Sequence, residues 1–126
     1  AGLDYDPQLV SMAHFEIESA TGAVDALLSK NIEFDGIFAA SDTIALGAIR
    51  GLQRRGVSVP EDISIVGYDD VQMAKYARPA LTTVRQDLLK AGRLMVNKLL
   101  TASNVRDMQS ERLPTDIIVR ESCGAG

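Results

Sequence analysis

The sequence predicts an α/β protein, an open parallel sheet with helices on both faces. Three observations carry that reading. Short apolar or β-branched runs alternate with segments whose apolar residues recur every three to four positions, in a strand, helix, strand, helix, strand rhythm. That rhythm implies right-handed crossovers, which join parallel strands and lay helices over the sheet. No internal repeat or low-complexity linker interrupts it, so the 126 residues read as one unit.

Taken in order, Leu9-Val10-Ser11-Met12 is a short apolar run that reads as a first strand. Ala20, Ala23, Val24, Leu27 and Leu28 then follow one helical face, with Ser19 as the expected N-cap. Residues 34–40, Phe-Asp-Gly-Ile-Phe-Ala-Ala, predict the next strand, running into Ser41-Asp42, either of which can cap the helix after it. That helix shows Ala45, Ala48, Ile49 and Leu52 on one face, carries Arg50, Arg54 and Arg55 toward its dipole-negative end, and stops at Gly56. Residues 63–67, Ile-Ser-Ile-Val-Gly, form a buried strand by length and composition, and a charged irregular segment follows over 68–79. A short strand over 81–84 comes next. Residues 86–100 predict a helix with Leu88, Ala91, Met95 and Leu99 aligned, and 113–120 a final strand around Ile117-Ile118-Val119. The polar stretch 101–112 is the loosest part of the chain.

Composition removes several function classes. A net charge of -4 and a pI near 4.9 argue against a nucleic-acid-binding surface on this chain, which needs a basic patch to displace counterions. No apolar run reaches the ~18 residues of a membrane span, and no secretory leader opens the chain, so the expected location is the cytoplasm. The single Cys123 cannot form an internal bridge. The chain opens on Ala1-Gly2-Leu3 without Met, so a piece of a longer protein is expected.

In an open parallel sheet, ligands bind beyond the carboxyl ends of the strands. That rule selects His14-Phe15, Ser41-Asp42 and Tyr68-Asp69-Asp70. Together they offer an aromatic face, a hydroxyl and carboxylates, suited to a polyhydroxylated or amine-bearing small molecule. Glycine-rich phosphate loops are missing, and no cofactor is called for. Phe15 reads equally as a core aromatic or a stacking surface, and Ser41 and Asp42 as helix caps. Asp69-Asp70 is different, because adjacent carboxylates repel and add nothing to a core, so one of them is expected to face a ligand. His14, Glu16 and Glu18 alternate as metal ligands on a strand do, but Ser19 marks a helix start just after them, which favours a solvated loop and no metal. With one His, no nucleophile elbow and no Cys-His pairing, an enzyme is not expected. A phosphoacceptor receiver, with Thr82 or Thr83 beside the acidic pair, fits the length. It fails on order, since the pair comes late and Lys75 lies in an irregular segment.

Three motifs, Ala39-Ala40-Ser41-Asp42-Thr43-Ile44-Ala45-Leu46-Gly47-Ala48, the run from Gly56 through Val59-Pro60-Glu61-Asp62 to Gly67-Tyr68-Asp69-Asp70, and Leu81-Thr82-Thr83-Val84-Arg85-Gln86, resemble the lactose-repressor/galactose-repressor family of bacterial regulators. Ile118-Val119-Arg120-Glu121-Ser122 is similar to that family's last strand. The resemblance implies a periplasmic binding protein type I-like fold, with residues 1–126 forming most of the C-terminal lobe of a two-lobed effector-binding domain. It implies that Asp69 binds effector hydroxyls or ring nitrogens, that Ser41 reaches the same cleft, that Phe15 stacks on the effector and that Gln86 touches it near the crossover. Asp42 is implied in capping and hinge architecture. His14 stands where many relatives carry an acid, which leaves the effector as a sugar first and a nucleobase or nucleoside second.

The resemblance further implies a homodimer built from the helix over 43–54 and the segment 71–77, with Leu46, Ile49 and Tyr76 partly buried against a second chain. Operator DNA would be contacted through a helix-turn-helix headpiece, which, like the N-terminal lobe, is not in these residues. The aligned face Leu88, Ala91, Met95 and Leu99 would pack on that lobe. A periplasmic-type sugar-binding protein of a transport system shares the fold and is the alternative function.

Overall fold

The computed structural model describes residues 2, 4–30, 32–101 and 110–125. The first expected strand is not one. Asp6 accepts from the Gln8 amide at 2.8 Å and Pro7 starts a tight 3-10 turn, Pro7–Leu9, after which residues 10–14 run without strand partners. Helix α1 (Ile17–Leu28) begins two residues before Ser19, and the Ser19 hydroxyl reaches back to accept from the His14 amide at 2.9 Å. Ala20, Thr21 and Val24 form its buried face.

Strand β1 (Gly36–Phe38) is shorter than expected, because only these residues have a partner. One further ladder bond, Ala39 amide to the Val66 carbonyl at 2.9 Å, leads the chain into helix α2 (Asp42–Arg54). Ser41 caps α2, its hydroxyl accepting from the Ile44 amide at 3.2 Å. Ala45, Ala48, Ile49 and Leu52 are buried as their spacing predicts. The glycines of α2 set its distance from α1. A β-carbon on Gly47 would meet Ala20 Cβ and the Ile17 carbonyl at 2.6 Å, and one on Gly51 would meet Val24 Cβ at 3.2 Å. Ile17 beside Gly47 and Thr21 beside Gly51 mean that α1 and α2 run in the same direction.

Strands β2 (Ser64–Tyr68), β3 (Thr82–Gln86) and β4 (Thr115–Ile118) complete a sheet ordered β1-β2-β3-β4. β1, β2 and β3 are parallel. β4 is antiparallel to β3, pairing Thr83 with Ile118 and Gln86 with Thr115, so the sheet is mixed rather than wholly parallel. Helix α3 (Leu88–Thr101) lies between β3 and β4 in the chain.

The core lies between α2 and one sheet face. Ile65, Gly67 and Thr83 point toward α2, and Leu52, Ala45 and Leu81 fill the space between. Helices on both faces were expected, but the opposite face, where Phe38, Val66, Tyr68, Val84 and Ile117 line up by register, leaves Phe38 and Ile117 exposed. α3 buries none of its residues; Leu88, Met95 and Leu99 are exposed and Ala91 is half-buried. The expected loose stretch 101–112 falls mostly on residues outside those described.

The tail closes the sheet from below. After β4, a turn over Glu121–Cys123 buries Ser122, whose hydroxyl accepts from the Thr82 amide at 2.9 Å and donates to the Ile65 carbonyl at 2.6 Å. One side chain thereby bridges β2 and β3. Together with the Ala80 amide bond to Glu121, at 2.7 Å, it fixes where β3 begins.

Candidate functional site

Because β1, β2 and β3 are parallel, their carboxyl ends share one edge of the sheet, and Ser41, Asp69 and Gln86 follow or end those strands in turn. Phe15 belongs to the same end. Ser11, Met12 and Ala13 line one cavity with Phe38, Ala39, Ala40 and Ile44, which places the residues just before Phe15 beside the carboxyl end of β1 and the start of α2. Phe15 is 73% exposed there, which excludes the core reading of this aromatic. Ser41 is buried, and its oxygen already serves the α2 cap.

Asp69 and Gln86 meet directly, Gln86 Nε2 donating to Asp69 Oδ1 at 3.1 Å. The turn that carries Asp69 is unusual. Asp69 has φ 112° and Asp70 φ 52°, in the left-handed region that favours glycine. Such conformations persist where surrounding bonds over-determine them. Here the Asp69 amide donates to the Val84 carbonyl at 2.8 Å and the Asp70 amide to Thr83 Oγ1 at 3.3 Å, and the Val71 amide donates to Asp42 Oδ2 at 2.8 Å.

The two aspartates are thus divided in task. Asp70 turns toward the protein, where Arg85 Nε lies 2.7 Å from its Oδ2 and Arg120 Nη2 2.5 Å from its Oδ1. Burial alone pushes the Asp70 carboxyl up, but the Arg120 and Arg85 guanidiniums outweigh it and hold the group below its usual range. Arg120 also donates to the Leu81 carbonyl at 2.7 Å. Among the described residues, the Asp69 side chain is held by the Gln86 amide alone.

Below this turn, Asp42 is fully buried and accepts from Thr83 Oγ1 at 2.5 Å through Oδ1. Burial raises its pKa, opposed by the bonds from Thr83 and Val71 and reinforced by the nearby negative Asp69 and Asp70. The sequence reading assigned Asp42 to capping and hinge architecture and did not select Thr83, Arg85 or Arg120 as ligand residues. Polar threonines inside a buried strand, facing a helix that starts with an acid, were the available signal.

Other expectations sort by position. His14, Glu16 and Glu18 straddle the start of α1 rather than lying on a strand, and Glu18 pairs with Arg50 at 3.5 Å. Among the described residues, no group of three or more His, Cys, Asp or Glu is placed to hold a metal ion. Ile49 is 4% exposed and part of the chain's own core, so it has little surface to offer a partner; Leu46 is half-buried and Tyr76 exposed. A cavity of about 320 Å³ opens elsewhere, beside the free edge of β1, lined by Leu9, Met12, Val24, Phe34, Ile37 and Ile44 among others. Its walls are mainly apolar and it does not include Phe15, Ser41, Asp69 or Gln86.

A family model for the periplasmic binding protein-like domain matches residues 1–123. The chain belongs to that family. Within it, relatives place the chain among the effector-binding domains of lactose-repressor/galactose-repressor regulators. It is 40% identical over 124 residues to the HTH-type transcriptional regulator CelR of Thermobifida fusca, a match covering 97% of this chain and 36% of CelR. It is 36% identical over 100 residues to the ribose operon repressor of Haemophilus influenzae, covering 79% of this chain and 30% of the repressor. The solved sugar-binding transcriptional regulator of Escherichia coli complexed with phosphate superposes with a TM-score of 0.83 at 28% identity, covering 96% of this chain and 44% of that one. The CelR-cellobiose complex gives 0.80 at 38% identity, covering 96% and 38%. The chain therefore spans about a third of the length of these curated relatives. The periplasmic binding protein-like frame accounts for the parallel strands that gather Ser41, Asp69 and Gln86 at one edge. These relatives are transcriptional regulators, not enzymes. No helix among the described residues is long and apolar enough to cross a membrane.

Proposed function

We propose that this chain is the effector-binding and dimerisation lobe of a cytoplasmic, DNA-binding transcriptional repressor that responds to a small molecule, with a sugar as the effector class. The observation that carries the reading is the half-buried Asp69, joined to Gln86 at the carboxyl edge of the sheet while its neighbour Asp70 is spent on two arginines. A carboxylate beside a carboxamide offers paired acceptors and a donor to vicinal hydroxyls, and the exposed Phe15 ring at the same end offers an apolar face to stack on a pyranose. Ser41 lines the same edge. Relatives whose names specify a sugar, the ribose operon repressor and CelR bound to cellobiose, support that class.

The mechanism is a population shift. Effector held between this lobe and its companion favours one closure angle, and a homodimer passes that angle to headpieces on operator DNA. Leu46 and the exposed Tyr76 supply this lobe's share of the dimer surface, while Ile49 is spent on the lobe's own core. Operator contact belongs to a headpiece outside these 126 residues, whose net charge is -4. The test is a thermal-shift screen of the intact protein against sugars and nucleosides. A bound sugar at about 100 times its Kd stabilises by about 2.7 kcal/mol. Asp69→Ala is expected to abolish that shift. A shift with nucleosides alone, or one that survives Asp69→Ala, overturns the reading.

A further inference from the structure

We propose that Asp42 and Thr83 form a buried brace that positions the Asp69 carboxylate for effector, with Thr83 as the positioning residue that couples the brace to the turn. The inference rests on the reading of Asp69 as an effector ligand and adds residues to that site.

Capping does not account for Asp42. The α2 cap is made by the Ser41 hydroxyl, and an acid in a first helical turn needs no burial to favour the helix dipole. Asp42 is fully buried, which works against its charge, and both of its oxygens are turned away from α2's own backbone. Oδ1 accepts from Thr83 Oγ1 at 2.5 Å, and Oδ2 accepts from the Val71 amide at 2.8 Å. The same Thr83 oxygen accepts from the Asp70 amide at 3.3 Å.

Two successive amides immediately after Asp69 are therefore held from one buried carboxylate, one directly and one through a hydroxyl. These are the amides of a turn whose residues Asp69 and Asp70 sit at φ 112° and 52°. Without the brace, a chain bearing side chains there is free to relax out of the left-handed region, and the direction of the Asp69 carboxylate goes with it. The Asp70 clamp by Arg85 and Arg120 fixes the turn's other side. Between them the carboxylate is held toward Gln86 Nε2 before any ligand arrives. Preorganisation of this kind raises affinity by removing an ordering cost from binding.

Thr83→Val removes the hydroxyl at nearly constant volume, and Thr83→Ser keeps it. In the intact protein, the Gln86 side-chain amide resonances and hydrogen exchange at the Asp70 and Val71 amides report the turn without any ligand. Thr83→Val is expected to speed exchange at both amides at least tenfold relative to neighbouring β3 amides and to shift the Gln86 signals. Thr83→Ser is expected to restore them. Unchanged Gln86 signals in folded Thr83→Val overturn the proposal. Calorimetry with cellobiose, well below the melting temperature, separates this from failure of the underlying reading. Binding lost in Asp69→Ala but kept at wild-type strength in Thr83→Val refutes the brace alone. Binding kept in both refutes Asp69 as a ligand. Tenfold weakening in Thr83→Val, rescued by Thr83→Ser, supports both; if wild type does not take cellobiose, the resonance and exchange results decide the brace.

Discussion

Gly67→Ala puts the packing beneath the Asp69 turn to a quantitative test. Gly67 is buried on β2 with its missing side chain directed at α2. A methyl there would overlap Asp42 Oδ1, lie 3.0 Å from Leu81 Cδ2 and 3.3 Å from Ala45 Cβ. Three walls close around it, two of them anchored by elements that cannot slide independently. Overpacking of this kind costs about 1–3 kcal/mol. Displacing the carboxylate also breaks its bond from Thr83, and a hydrogen bond to a charged group contributes about 1.5–3 kcal/mol. The sum is about 2.5–6 kcal/mol, a large part of the about 5–15 kcal/mol that holds an ordinary domain together. Urea unfolding followed by circular dichroism measures it. Gly36→Ala is the control, since a β-carbon there would meet only the Ser64 carbonyl, at 3.9 Å, and should change stability by less than about 1 kcal/mol. Repeating Gly67→Ala in an Asp42→Ala background should recover the part due to the carboxylate, leaving the Leu81 and Ala45 contacts. A loss below about 1 kcal/mol for Gly67→Ala alone would refute the argument that Gly67 exists to admit Asp42.

Three further outcomes are expected. Gly47→Ala, whose new carbon would meet Ala20 Cβ and the Ile17 carbonyl at 2.6 Å, should push α1 off α2 and cost about 1–3 kcal/mol by thermal melting, whereas Gly22→Ala, with open space around it, should stabilise α1 by up to about 1 kcal/mol. Ser122→Ala strands the buried Thr82 amide and Ile65 carbonyl, for a loss of about 2–4 kcal/mol in the same assay. The acid limb of stability should show two opposed carboxylates. Asp70, lowered on folding, contributes stability above its ordinary value near 3.8 that is lost as pH falls through its folded pKa, and Arg120→Ala should reduce that loss. Asp42, raised on folding, binds its proton more readily in the native state, so stability falls as pH rises from about 3.8 through its folded pKa; melting curves of Asp42→Asn should lack that fall.

Much of this was legible in the residues. The spacing of Ala45, Ala48, Ile49 and Leu52 predicted the buried face of α2, and Ser41 its cap. The rule that ligands gather at carboxyl ends of parallel strands selected Ser41 and Asp69, and the family motif added Gln86, which the structure joins to Asp69. Apolar content alone misread residues 9–12, because a strand requires a partner and Pro7 had already committed the chain to a turn. The direction of β4 was hidden for a related reason. No residue within Thr115–Ile118 encodes which way it runs; the pairing of Thr83 with Ile118 and Gln86 with Thr115 shows it. Asp42 was assigned to capping and hinge architecture, and its partner stayed hidden because a sequence displays the neighbour Ser41 and the helix ahead, not Thr83, 41 positions away.

The buried Ser122 has a consequence for how the protein is made. On the ribosome, β2 and β3 emerge well before the side chain that joins the Ile65 carbonyl to the Thr82 amide. Arg120, which fastens the Asp70 turn, also lies later in the chain than β3. Until residues 120–122 have emerged, the nascent sheet can pair but its edge geometry is unlocked, and sequence-distant closures of this kind slow folding. A pause or truncation before Arg120 would release a chain whose Asp69 turn is slack.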